Sequence, residues 1–274
     1  MTALVTTAAS GLRSRLPASP GVAAPVLGTL TAVVVWWLLT DVVFASRAMV
    51  SDFSPVRAVA GLGELVGTGT LLEASATSVY RLLVGLGIAA LIGLAGGLLV
   101  GSVGWIDHAS RPSTLFLRMV SPLSWAPVAV VAFGIGNAPV IALVAAAAVW
   151  PILTSTADGV RRVQAGHREV ARGLGATRAE VLRHVVVPSV QPAALAGLRL
   201  AIGLGWVVLV PAEMLGVTSG LGYQILNAKD QFAYHHITAL ILVIGTIGYA
   251  LDVVARWLLA TRRDRRQERR PDST

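Results

Sequence analysis

Asp158-Gly-Val-Arg-Arg-Val-Gln-Ala-Gly-His-Arg-Glu169-Val170-Ala171-Arg-Gly-Leu-Gly175-Ala-Thr177-Arg-Ala-Glu180-Val-Leu-Arg-His-Val185-Val-Val187-Pro188 is a charged passage inside a strongly apolar chain. It reads as two short helices. The first covers about residues 167–174 and stops at Gly175, a residue that reaches the left-handed conformation a helix end needs. Thr177 opens the second, with Glu180 three residues on. That is a capping-box spacing, in which each side chain accepts from the other residue's backbone amide. Pro188, which has no amide hydrogen, is expected to end this helix.

On either side of this passage the chain turns apolar. Runs fall at about 26–45, 75–103, 115–135, 139–156, 192–215 and 237–259, each bounded by charged or turn-forming residues. A helix of about 20 apolar residues crosses a hydrocarbon layer about 30 Å thick. Six spans are therefore expected, with the charged passage between the fourth and fifth. Of the 274 residues 55% are hydrophobic and only 13% charged, which is a membrane-protein composition. Pro122 and Pro127 interrupt the third run, so a kinked or broken helix is expected there. The first run competes with a cleavable leader, but it is long enough to span and no small-residue cleavage site follows it.

The basic residues give the orientation. Arg47, Arg57 and Lys229 fall on one side of the six runs, Arg81, Arg199 and Arg256 within them, and the other sixteen of the 22 on the opposite side. The rich side is expected to be cytoplasmic, with both termini inside. This asymmetry accounts for the net charge of +8 without nucleic acid. The basic stretch after Thr261 then reads as an anchor near anionic lipid. Residues 46–74 lie outside, and Val56, Val59, Leu62 and Leu65 recur there at helical spacing, as in an interfacial helix. There is no internal repeat or inverted symmetry of the kind many gradient-driven carriers show.

The charged passage resembles the cytoplasmic signature of the permease subunits of bacterial ABC importers, which is Glu-Ala-Ala, three residues, Gly, nine residues, Ile, one residue, Leu-Pro. Here Glu169, Val170 and Ala171 are followed at those spacings by Gly175, Val185, Val187 and Pro188. The departures are Val at 170, 185 and 187. The resemblance extends over about residues 75–260. Ser121-Pro122-Leu-Ser-Trp125-Ala-Pro127, Phe133-Gly-Ile-Gly136, Gly197-Leu-Arg199-Leu, Ala212-Glu213-Met-Leu-Gly216 and Ser219-Gly-Leu-Gly222-Tyr223 look like the nitrate, sulfonate and taurine branch.

The resemblance implies an all-α, six-span permease with a coupling loop over 157–190, a domain over 26–260, a short cytoplasmic segment over 1–25 and a basic tail over 261–274. It implies that Glu169, Val170, Ala171, Gly173, Gly175, Thr177, Glu180 and Pro188 couple this chain to an ATPase. Pro122, Trp125, Pro127, Glu213, Gly220 and Gly222 are then candidates for the path or gate. The implied partners are two ATP-binding subunits, a second permease copy, an external substrate-binding protein, either periplasmic or lipid-anchored, and the bilayer. No Gly-x-x-x-x-Gly-Lys-Ser/Thr loop occurs, so ATP and magnesium are expected on the partner, and this chain is expected to be no enzyme. The implied cargo is a small anion such as nitrate, a sulfonate or taurine, and the implied setting is a bacterial inner membrane.

Several residues carry rival readings. A gradient-driven carrier would show paired ionisable residues at mid-membrane, and Asp41, Glu213 and Asp252 read as lying towards span ends. Gly85, Gly93, Gly97 and Gly101 share one face of the second run, as a packing seam or a dimer contact would. His235 and His236 have no third ligand at a metal-like spacing in sequence, and with no cysteine the thiol sites are excluded.

Overall fold

The computed structural model describes residues 23–163 and 165–259. The expected segment before residue 23 and the basic tail over 261–274 lie outside the described residues. Helix α1 (Ala23–Trp37) runs into a wider π-helical stretch, Leu38–Val43, and the short α2 (Ala48–Ser51) and α3 (Pro55–Gly67) follow. Then come α4 (Thr70–Ser102), α5 (Gly104–Met119), a 3-10 turn at Pro122–Trp125, α6 (Ala126–Phe133) and α7 (Asn137–Arg161). The chain ends with α8 (Ala165–Gly173), α9 (Arg178–Val181), a π-helical turn at Leu182–Val186, α10 (Val187–Met214), α11 (Leu221–Asp230) and α12 (Tyr234–Leu259). No strand occurs among the described residues.

Five helical stretches are long and apolar enough to cross a membrane, and a bent pair makes a sixth. That pair, α5 with Pro122–Phe133, corresponds to the third expected span and is folded through 86°. The expectation of a start near residue 115 is corrected: α5 begins at Gly104. Asp107, Arg111 and Arg118 on α5 hid that start from an apolar-run reading. The break falls where Pro122 and Pro127 remove amide donors.

A second correction concerns Pro188. It sits in the first turn of α10, and helical structure runs on through it to Met214. The missing amide is accommodated by the widened π turn at Leu182–Val186 just before it.

Helix α7 is the centre of the bundle, held between α4 and α10. The seam on α4 is glycine-lined. A methyl group at Gly85 would come within 2.7 Å of Val144, at Gly93 within 2.8 Å of Ile152, at Gly97 within 2.6 Å of the Leu153 carbonyl and at Gly101 within 2.6 Å of Val160. Gly197 on α10 repeats this against the Pro151 carbonyl at 2.7 Å. Small residues let helix backbones approach closely, which is how helices associate in lipid. The glycine face read from sequence is therefore a seam within one chain. Leu82, Val144, Ala148, Ile152, Ala201 and Leu209 fill the core around it.

The exterior is apolar instead. Only 28% of the crossing window of α4 and 17% of that of α12 are buried. Leu91, Phe116, Val131, Val207 and Trp257 stand exposed, as suits a surface whose solvent is hydrocarbon. Helix α3 packs against α12 and buries Ala58, Gly61 and Leu65, while Val56 and Val59 face out. The apolar stripe read from sequence is thus divided between two faces.

Candidate functional site

One end of the bundle holds a buried polar clasp. Arg81 on α4 and Glu213 on α10 are 1% and 0% exposed, and Arg81 Nη1 lies 2.7 Å from Glu213 Oε1. Arg81 also donates from Nε to Asn137 Oδ1 at 2.8 Å, from Nη1 to the Ser219 carbonyl at 2.8 Å and from Nη2 to Ser219 Oγ at 2.6 Å. Ser78 donates to the Glu213 carboxylate at 2.9 Å and accepts from the Leu221 amide at 2.9 Å. The Gly222 amide donates to Glu213 Oε2 at 3.0 Å. The first turn of α11 thus points its amide Leu221 at Ser78 and its amide Gly222 at the carboxylate, where a helix start favours negative charge.

The glycines permit this wrapping. Gly220 has φ +99°, and a methyl group there would lie 2.3 Å from Glu213 Oε1. At Gly222 it would lie 2.2 Å from the Val210 carbonyl. Three of the residues nominated from sequence, Glu213, Gly220 and Gly222, therefore meet in one place. Pro122, Trp125 and Pro127 do not join them. They sit at the α5–α6 break, where Pro122 and Trp125 line a cavity of about 290 Å³ together with Leu117, Val149 and Trp150.

Glu213 does lie at the end of its span, one residue before α10 stops, but Arg81, Ser78 and Asn137 were missed from the sequence, and no charged partner for Glu213 was named. The pair exists. Its signal was present as an arginine in one apolar run and a glutamate in another, each costly in a membrane unless they meet. Every charged atom of the clasp has a partner from the protein, so it holds helices together instead of offering a vacant proton or ion site.

Arg199 is the contrasting case. It lies near the middle of α10, is half-buried, and its Nε is buried without a hydrogen-bond partner.

At the opposite end, the charged passage between α7 and α10 forms a capped helical hairpin. Helix α8 ends in a Schellman arrangement: Gly175 at φ +86° donates its amide to the Arg172 carbonyl at 2.9 Å, and the Ala176 amide reaches the Ala171 carbonyl at 3.1 Å. Thr177 donates its amide to Glu180 Oε2 at 2.7 Å, and the Glu180 amide reaches Thr177 Oγ1 at 3.3 Å. Beneath the hairpin, Val160, Val181, Val186 and Val190 make a small core that Ala171 and Ala176 cover. This fixes the hairpin to the ends of α7 and α10. On its far side Glu169, Gly173 and Gly175 are exposed, and Val170 and Leu174, one turn apart, are 64% and 84% exposed. An apolar pair projecting from a charged hairpin is the kind of surface another protein can contact. Asp107 on α5 pairs with Arg111 and with Arg161 at the end of α7, bracing the same end.

A further polar group joins α3 to α12. His236 Nε2 lies 2.8 Å and His235 Nε2 3.6 Å from Glu64 Oε2. Sequence spacing offered the two histidines no third ligand; the fold brings Glu64, 171 residues before His235, beside both. The His236 imidazole holds the Glu64 carboxyl below the usual carboxylate range.

A family model described as "Binding-protein-dependent transport system inner membrane component" matches residues 85–265. A bicarbonate transport system permease protein of Synechococcus elongatus is 39% identical over 183 residues, which is 66% of each chain. The taurine transport system permease protein of Escherichia coli K12 is 32% identical over 238 residues, 85% of this chain and 86% of that one. A nitrate import permease protein of Synechococcus elongatus is 32% identical over 184 residues, again 66% of each. The match thus spans about two thirds of the bicarbonate and nitrate proteins' length. Among solved structures, an inward-facing MetNI methionine ABC transporter chain has a TM-score of 0.56 at 17% identity, covering 67% of this chain and 91% of that one. An amino acid ABC transporter chain has a TM-score of 0.55 at 19% identity, covering 75% and 97%. At that identity the likeness is one of fold.

Proposed function

Because this chain belongs to the binding-protein-dependent transport system inner membrane components, we propose that it is the membrane-spanning permease subunit of an ATP-driven importer in a bacterial inner membrane. Its loop over 157–190 docks onto a separate ATPase subunit, which binds ATP and magnesium. The observation that carries this reading is the hairpin at Glu169 to Glu180, rigidly seated on α7 and α10 and presenting Val170 and Leu174 outward. The excess of arginine at the same end supports a cytoplasmic position for it and for both termini. The clasp of Arg81 and Glu213 is then at the outer mouth.

Two copies of the permease, two ATPase subunits and an external substrate-binding protein complete the proposed assembly, a reading that the family description, binding-protein-dependent transport, supports for the last of these. A small anion is the cargo class. Relatives named for bicarbonate, nitrate and taurine support it, and so does Arg199, an arginine near the middle of a span whose Nε has no hydrogen-bond partner. An unpaired cation there is tolerable where it faces a wet path, and it favours anions in that path.

The test is reconstitution of the complex in vesicles, with ATP hydrolysis and anion uptake measured for the native chain and for Glu169→Arg. Native complex should hydrolyse ATP in step with uptake, and the variant should lose that coupling. Equal assembly and equal coupling in the variant would sink the docking role.

A further inference from the structure

We propose that Glu64, His235 and His236 bind a divalent transition-metal ion of the zinc class and thereby clip α3 to α12. The chemistry of the donors fits: two imidazoles and one carboxylate are a common ligand set for such ions, leaving a position for water. So does their spacing. Ligand atoms about 2.0–2.1 Å from a tetrahedral zinc stand about 3.3 Å apart. The carboxylate oxygen lies 2.8 Å from one imidazole nitrogen and 3.6 Å from the other, and the three ligand atoms lie within 4.8 Å of one another.

Backbone features hold the donors in place. Gly61 lies one turn before Glu64, and a methyl group there would come within 3.1 Å of the His235 ring and carbonyl, so α3 and the start of α12 are in close contact. Among the described residues only Phe232 is a non-glycine residue with positive φ, at 59°. It lies in the turn that aims the two histidines. Such conformations persist only where the surroundings impose them, and they cluster at functional sites. The His235 and His236 rings lie 4.2 Å apart, tilted by 47°, with both Nε2 atoms turned to the same carboxylate. Metal binding takes the place of the hydrogen bond between His236 and Glu64, with both imidazoles ligating in their neutral form.

The side of the membrane on which this site opens rests on the importer reading, where it is the outer face; the presence of the site does not. The test uses the full-length chain without an affinity tag, purified with its ATPase subunits, stripped with chelator and dialysed against Co²⁺ or Zn²⁺ alone. Native chain should take up one ion per permease, with the visible spectrum of nitrogen-coordinated cobalt and a rise in the unfolding temperature. Glu64→Gln and the double variant His235→Ala/His236→Ala should lose the uptake, the spectrum and the temperature rise. Metal uptake by the native chain equal to that of the double variant would overturn the proposal. So would an unfolding temperature of the stripped native chain that zinc leaves unchanged, a measurement that stands even where a variant fails to assemble. ATP hydrolysis in the native complex reads the importer assignment separately, so the two ideas fail independently.

Discussion

Arg81 and Glu213 meet at 2.7 Å with both side chains excluded from solvent, although 132 residues separate them in the chain. That contact joins α4, α10 and the start of α11, and through Asn137 it takes in α7 as well. Its strength depends on completeness, because a buried charge deprived of its partner is far costlier than the pair is favourable.

Glu213→Gln and Arg81→Gln should each therefore destabilise the chain by about 3–5 kcal/mol. The double variant should fall short of their sum by roughly 2 kcal/mol, since the second change no longer strands a charge. Thermal unfolding of the purified complex measures both, and strict additivity would count against a shared clasp.

Gly220→Ala and Gly222→Ala push a methyl group into the Glu213 carboxylate and the Val210 carbonyl. Each should cost about 1–3 kcal/mol. Gly87 on α4 has nothing within 4 Å of the same position, so Gly87→Ala should be neutral or stabilise by up to about 1 kcal/mol. The three variants compared in one melting experiment separate steric crowding from a general intolerance of substitution.

At the hairpin, Leu174→Asp should leave the unfolding temperature nearly unchanged, because Leu174 is 84% exposed and its stability effect stays within about 0.5 kcal/mol. Affinity for the ATPase subunit should nonetheless drop about tenfold or more. Thr177→Ala removes the reciprocal cap and should cost about 1 kcal/mol of local stability, seen as faster amide exchange over residues 177–181. Unaltered ATPase binding by the Leu174 variant would remove the apolar contact from the docking scheme.

Arg199→Gln should raise the KM for anion uptake about tenfold, corresponding to about 1.4 kcal/mol, with little change in folding. Arg199→Lys should recover part of the loss, since it keeps the charge. Unchanged uptake in the glutamine variant would take Arg199 out of the path.

What the sequence made legible was local. The end of α8 at Gly175 and the cap at Thr177 and Glu180 follow from residues within one turn of each other, and the structure shows both. The crossing helices were visible as apolar runs, except α5, whose Asp107 and Arg111 lower its hydropathy, while pairing with Arg111 and Arg161 permits the burial of Asp107. Pro188 misled because its effect is relieved a turn earlier, in the π turn at Leu182–Val186. The clasp and the Glu64–His236 contact were hidden for a different reason. Each joins elements more than a hundred positions apart, and no spacing rule reaches across such a distance.

Helix α7 has one further property. Asn137 in its first turn accepts from Arg81 of the clasp, and Arg161 in its last turn is held by Asp107 beside the hairpin. Between them it is gripped by glycine-lined neighbours on both flanks over 25 residues, about 37 Å. A rod fastened at both ends and confined along its length transmits thrust without storing it. On the importer reading, a push at the hairpin is therefore expected to reach the far end as displacement of the clasp, so that the two ends of a single chain move as one linkage.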